Sequence, residues 1–233
     1  MRKSSGYIKF LAAIAFLGMG SASAEESPNW KLCSGHQSST VDQRLAACNA
    51  IIDSGNEPPP NLALAYCDRA IAYNAKGDPD RAMADLNEAV RLDTEQYTSL
   101  TCRGYQYYYR KDFDQAIKDF DKAISSNSRR AEGYVARGSA YRSKGDLEHA
   151  IADYSEAIQR SSNNALALYS RGSAFLAQKD NDRAIADFNA AIALDPRMSV
   201  AYVERGRAFW AKGDKAHANS DFEEARQLRK LTP

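Results

Sequence analysis

The stretch AEGYVARGSAYRSKGDLEHAIADYSEAIQRSSNN, residues 131–164, decides the fold. It reads as two short helices. Tyr134, Gly138 and Tyr141 recur at the spacing of one helical face. Gly145 and Asp146 interrupt the pattern, and Ala150, Tyr154, Ala157 and Ile158 then mark the inner face of a second helix. Small residues opposite aromatic ones let two helices approach closely while the rings fill the gaps. A hairpin this short cannot bury its own apolar face, so it needs a neighbour on each side.

Those neighbours are in the chain. Arg69, Arg103, Arg137, Arg171 and Arg205 are each 34 residues apart, as are Ala82, Ala116, Ala150, Ala184 and Ala218, and Asp85, Asp119, Asp153, Asp187 and Asp221. The aromatic of the first helix returns as Tyr73, Tyr107, Tyr141, Phe175 and Phe209; that of the second as Leu86, Phe120, Tyr154, Phe188 and Phe222. Matches held at one period mean a solenoid, and this period with this pattern resembles the tetratricopeptide repeat (TPR) family. Gly138 and Tyr141, then Ala150, Tyr154 and Ala157, carry the family's series; its closing proline survives only as Pro196. The resemblance covers residues 63–232 as five repeats, 63–96, 97–130, 131–164, 165–198 and 199–232. It implies an all-α, right-handed superhelical solenoid of helix-turn-helix hairpins that binds other proteins without chemistry.

Ahead of the repeats, Arg2, Lys3 and Lys9 precede an apolar run from Phe10 to Gly20, and Ala22-Ser23-Ala24 supplies small residues for cleavage. The run is short for a membrane span, which needs about 20 apolar residues. Residues 1–24 are therefore expected to be a signal peptide cut after Ala24, sending the chain to the periplasm; an uncleaved anchor is the alternative. Three of the 31 basic residues and none of the 30 acidic ones fall in that segment. The slight acidic excess that remains argues against a nucleic-acid or acidic-lipid partner.

Residues 25–62 are expected to form an N-terminal cap of half a repeat: an irregular 25–40, a helix over about 41–53 capped by Ser39 or Thr40, and a non-helical connector around Pro58, Pro59 and Pro60. Four cysteines in an exported chain favour disulfides, with three pairings open. Cys33 and Cys48 both precede the repeats and are expected to pair. Cys67 and Cys102 sit on consecutive first helices, one residue out of phase, where a bond could staple the first repeat to the second; two buried thiols are the alternative. Their spacing does not suit structural zinc, and His36, His149 and His217 share no metal spacing, so no metal, cofactor or catalytic residue is expected.

Asp78, Asp112, Asp146, Asp180 and Asp214 stand where each second helix starts and are expected to cap it. Gly77, Gly145 and Gly213 precede them and suit a left-handed turn; Lys111 and Lys179 take that place in two repeats and are expected to strain or reshape it. Met83, Ile117, Ile151 and Ile185, with Val90, Ile124, Ile158 and Ile192, are expected to meet the following repeat. The fifth repeat has Asn219 and Arg226 there, the wettable face a solenoid needs at its end. The Arg and Asp series is read as a structural ladder of bidentate pairs, within or between repeats, rather than a polyanion site.

The remaining candidate is the groove that the resemblance places on the first helices. The residues expected to line it and meet a partner are Tyr105, Tyr108 and Tyr109 from the second repeat, Arg142 from the third, Leu166 and Tyr169 from the fourth, and Arg207 and Trp210 from the fifth. Exposed aromatic groups in number point to a partner. Many TPR domains hold a partner's terminal carboxylate with Lys, Asn and Arg; this chain has Cys67, Ile71, Cys102, Glu132 and Ala136 at those places, so that clamp is absent. The reading is a monomeric, non-catalytic envelope scaffold holding a segment of another protein. A small-ligand or enzymatic pocket on the same aromatic surface is the competing class, and an adaptor tethered by an uncleaved leader is a third.

Overall fold

The computed structural model describes residues 27–35, 38–93 and 97–230, so the leader expected over 1–24 lies outside the described residues. Twelve helices and no strands occur among them. In chain order they are α1 Pro28–Cys33, α2 Val41–Ser54, α3 Pro59–Lys76, α4 Pro79–Leu92, α5 Tyr97–Tyr109, α6 Phe113–Ser126, α7 Ala131–Lys144, α8 Leu147–Arg160, α9 Ala165–Ala177, α10 Asn181–Leu194, α11 Ser199–Ala211 and α12 Lys215–Lys230. They fall into two compact units, α1 to α6 and α7 to α12, divided between Asn127 and Ser128.

Three devices shape the hairpins, the first in four of them and the other two in all five. First, the helices touch through a glycine and a ring. A Cβ on Gly104, Gly138, Gly172 or Gly206 would lie 2.6–2.9 Å from the ring of Phe120, Tyr154, Phe188 or Phe222, so only glycine fits. The first repeat solves the problem the other way, with Ala70 and the smaller Leu86. Second, the turn is left-handed: Gly77, Gly145 and Gly213 have φ of 84–92°, and Lys111 and Lys179 adopt the same conformation at 63° and 64°. The two lysines therefore do not reshape the turn; they accept the strain of a side chain there, roughly 1 kcal/mol each. Third, Asp78, Asp112, Asp146, Asp180 and Asp214 accept from the backbone N–H three residues on, at 3.1–3.2 Å, capping each second helix.

The arginine series resolves as pairs within each repeat. Arg69, Arg103, Arg137, Arg171 and Arg205 each donate through Nε and Nη2 to both oxygens of Asp85, Asp119, Asp153, Asp187 and Asp221, at 2.6–2.9 Å. The third guanidinium nitrogen then crosses to the helix before. Arg103 Nη1 reaches Asn87, Arg171 Nη1 reaches Ser155, Arg205 Nη1 reaches Asn189, and Arg69 Nη1 reaches Asn49 of α2. The planar five-donor fork thus stitches hairpins as well as closing them.

In the first unit, α1 and α2 cover one side of α3. The expected irregular segment contains α1, whose buried Trp30 donates Nε1–H to Glu57 at 2.9 Å. Cys33 and Cys48 are joined as a disulfide. Thr40 and Gln43 form a reciprocal capping box on α2. The connector is shorter than expected, because Pro59 and Pro60 open α3: first-turn residues need no N–H partner, so prolines are tolerated there. The expected second disulfide is not formed; Cys67 and Cys102 are buried thiols. Val90 packs against Tyr97, Leu100 and Ala123 of the next hairpin.

In the second unit, α7, α9 and α11 are neighbours in a row, with α8, α10 and α12 as their hairpin partners. Ile151 reaches the cluster of Phe175, Ala184 and Phe188 in the following repeat, as its position predicts. On α12, Asn219 and Arg226 are exposed.

Candidate partner-binding face

Residues 34 apart on adjacent parallel helices stand side by side. In the second unit this builds four rows across α7, α9 and α11: Glu132, Leu166 and Val200; Val135, Tyr169 and Val203; Ser139, Ser173 and Arg207; Arg142, Leu176 and Trp210. Leu166 is 37% exposed, Val200 45% and Trp210 53%, so three large apolar side chains face solvent on two adjacent helices of one face. Tyr169 is half-buried, tilted against Phe188 at 6.0 Å between centroids, and Leu176 packs beside it. Ser139 and Ser173 turn their hydroxyls onto their own helices, to Val135 O and Tyr169 O, so they present little polarity to the face.

Cations border this apolar strip. Arg142 is exposed. Arg207 pairs with Glu204 at 2.7 Å on its own helix, Lys212 pairs with Asp182, and Lys215 Nζ lies 5.7 Å from the Trp210 ring centroid. Glu132 opposes them, weakly tied to Arg130 at 3.9 Å.

The expected tyrosines of the first unit behave differently. Tyr105 is only 6% exposed and meets Phe120 edge-on at 5.2 Å, so it does not offer a binding surface. Burial pushes its hydroxyl well above the ordinary tyrosine value. Tyr108 is half-buried, edge-on to Tyr109 at 5.5 Å and tilted on Phe113 at 5.6 Å. Tyr109 is exposed, its hydroxyl pushed to about 12 by burial and then by Tyr108.

Two features escaped the sequence reading. Leu194 at the end of α10 is exposed, although its counterpart Leu92 is half-buried against the core of the first repeat, so the repeat pattern carries no signal for it. His149 and His217 stack on Tyr141 and Phe209 at 5.0 and 5.1 Å while meeting the capping Asp146 and Asp214 at 2.7 Å. They serve the turns, a role their shared register betrays. Among the described residues no His, Cys, Asp and Glu cluster suits a metal ion.

Known proteins agree with this architecture. Profiles described as tetratricopeptide repeat match residues 63–96 and 165–198, and one described as TPR repeat matches residues 138–179. The two whole-repeat matches coincide with the boundaries set by the 34-residue period. The chain is a tetratricopeptide-repeat protein.

No curated relative matches this TPR chain. Among solved structures it is similar to MamA, at 25% identity and a TM-score of 0.62, over 70% of this chain and 95% of that one. YrrB, titled a TPR protein with an unusual peptide-binding site, matches at 19% identity and 0.58, over 80% and 94%. BtubC from P. vanneervenii matches at 14% identity and 0.71, over 88% and 92%. TPR repeats arranged in this way make a scaffold for protein–protein interaction. No described helix is long and apolar enough to cross a membrane.

Proposed function

We propose that this TPR protein is a non-catalytic, monomeric scaffold of the cell envelope that holds an extended or helical segment of another protein on the α7, α9 and α11 face. The observation that carries the reading is the exposure of Leu166 on α9 and of Val200 and Trp210 on α11, at the two ends of a face that Tyr169 and Leu176 of α9 fill in between. Apolar side chains at the centre with cations at the border fit a segment of aliphatic or aromatic residues with acidic flanks. The unusual peptide-binding site described for YrrB supports the class of ligand. Export rests on the leader read over residues 1–24, with Glu25 as the new N-terminus.

Photo-crosslinkers placed at Leu166 and Trp210 test the face in an envelope extract, with Arg226 of α12 as the comparison. Crosslinks to one partner peptide from Leu166 and Trp210, absent from Arg226 and lost with Val200→Asp, are expected. Equal labelling from all three positions would sink the proposal. Sequencing the mature protein should return Glu25 first.

A further inference from the structure

The first two repeats contain a thiol pair that neither the repeat framework nor the binding face uses. Cys67 and Cys102 lie on α3 and α5, which are in contact, and both belong to one buried cluster with Ala63, Ala70, Ala82, Leu86 and Ala89. The Cys67 thiol lies 4.0 Å from Ser99 Oγ, at the start of the helix that carries Cys102. Helical phase explains the meeting. Residues 34 apart point the same way from parallel neighbours and cannot face each other. One extra residue turns the second side chain by about 100°, back towards the preceding helix. At the same offset the sequence has Thr101 with Ala136, Val135 with Ser170 and Tyr169 with Glu204, so sulfur occupies both positions only in repeats one and two.

We propose that Cys67 and Cys102 form a redox-closed latch, a thiol pair converted by thiol–disulfide exchange into a bond that pins the first hairpin to the second. A thiolate from one cysteine attacks the disulfide of oxidised glutathione, or of a dithiol oxidoreductase, and expels one thiol. The second cysteine then displaces the other, so the protein loses two electrons and two protons and the oxidant gains them. The neighbouring Cys102 thiol, followed by burial, raises the Cys67 thiol well above its ordinary value, which disfavours the attacking thiolate in the closed fold. Exchange therefore occurs before α3 and α5 close, or when they part.

The test refolds the fully reduced chain in a reduced and oxidised glutathione mixture and counts thiols under denaturing conditions. No alkylatable thiol, a crosslinked Cys67–Cys102 peptide, and a melting midpoint raised by about 10 °C for the 35-residue closure are expected. Cys67→Ala with Cys102→Ala separates this from the Cys33–Cys48 bond: dithiothreitol should lower its midpoint by less than it lowers that of the wild type. Should the double variant not fold, Cys102→Ala alone serves, since Ala136 fills the same place in repeat three, and it should leave one thiol. Two free thiols after refolding, a stable glutathione adduct, or pairing with Cys33 or Cys48 would overturn the proposal.

Discussion

The two units carry the same hairpin and put its inner face to opposite use. On α3 and α5 the positions at the centre of that face, Cys67, Ile71, Thr101 and Tyr105, are all buried. On α9 and α11 their counterparts, Tyr169, Ser173, Val203 and Arg207, are half-buried or exposed, and Leu166, Val200 and Trp210 stand out beside them. Only Val135 of α7 follows the first unit's pattern. The glycine–ring contact, the Arg–Asp fork and the Asp cap are shared, so they do not cause the difference. It arises at positions the framework leaves unconstrained, where one unit spends apolar side chains on cohesion and the other leaves them to the solvent.

The sharpest way to break that contrast is to truncate one ring from each unit. Tyr105→Ala removes a buried ring from its edge contact with Phe120 and should cost about 3–4 kcal/mol in urea unfolding. Trp210→Ala removes a larger ring that packs little, and should cost well under 1 kcal/mol while weakening partner capture. Equal stability losses would mean that the second face is also part of the core.

A second experiment asks whether the framework is as uniform as it looks. In Gly138→Ala the new Cβ would meet Tyr154 at 2.9 Å and Asp153 at 3.1 Å, and the fully buried ring has nowhere to go. A loss of about 2 kcal/mol is expected even after the helix-propensity gain of roughly 1 kcal/mol. Adding Tyr154→Leu copies the Ala70 and Leu86 arrangement of repeat one and should recover about 1 kcal/mol relative to additive behaviour. Strict additivity in a double-mutant cycle would refute the size-matching account.

These contrasts also mark where the sequence was legible. Five aromatic residues and five alanines in phase sufficed for helix pairing and turn position, because each is set by contacts inside one hairpin. The disposition of Tyr105 was not legible: its helical position matches Ser139, Ser173 and Arg207, and burial depends on how neighbouring helices settle, which the period does not encode. The helix α1 was missed because six residues beginning with proline carry no periodic signal; a disulfide and Trp30 hold it instead. The choice of Arg partner was also open, since Asp at sixteen residues on and polar groups of the previous repeat are both within reach; the fork takes both.

One carboxylate of the first unit and three of the second should also answer acid in opposite senses. Asp68 of α3 is buried, and burial raises its carboxyl to about 6, opposed by the Arg44 guanidinium. A folded-state value above the unfolded one means that folding disfavours the ionised form. The contribution of Asp68 to stability is thus greatest below about pH 4, falls as pH rises to about 6, and is a constant penalty above that. Asp146, Asp180 and Asp214 in the second unit are lowered, first by the backbone N–H of His149, Arg183 and His217. Their contribution is complete above the ordinary carboxylate value and is lost only as pH drops through their depressed values. Asp68→Asn should therefore stabilise the protein by about 1–2 kcal/mol at pH 7, the buried amide offsetting part of the gain. At pH 4 the gain should vanish, because the wild-type carboxyl is already neutral. Urea midpoints of both proteins between pH 4 and pH 8 measure this, and parallel curves would show that the ionised Asp68 is compensated after all.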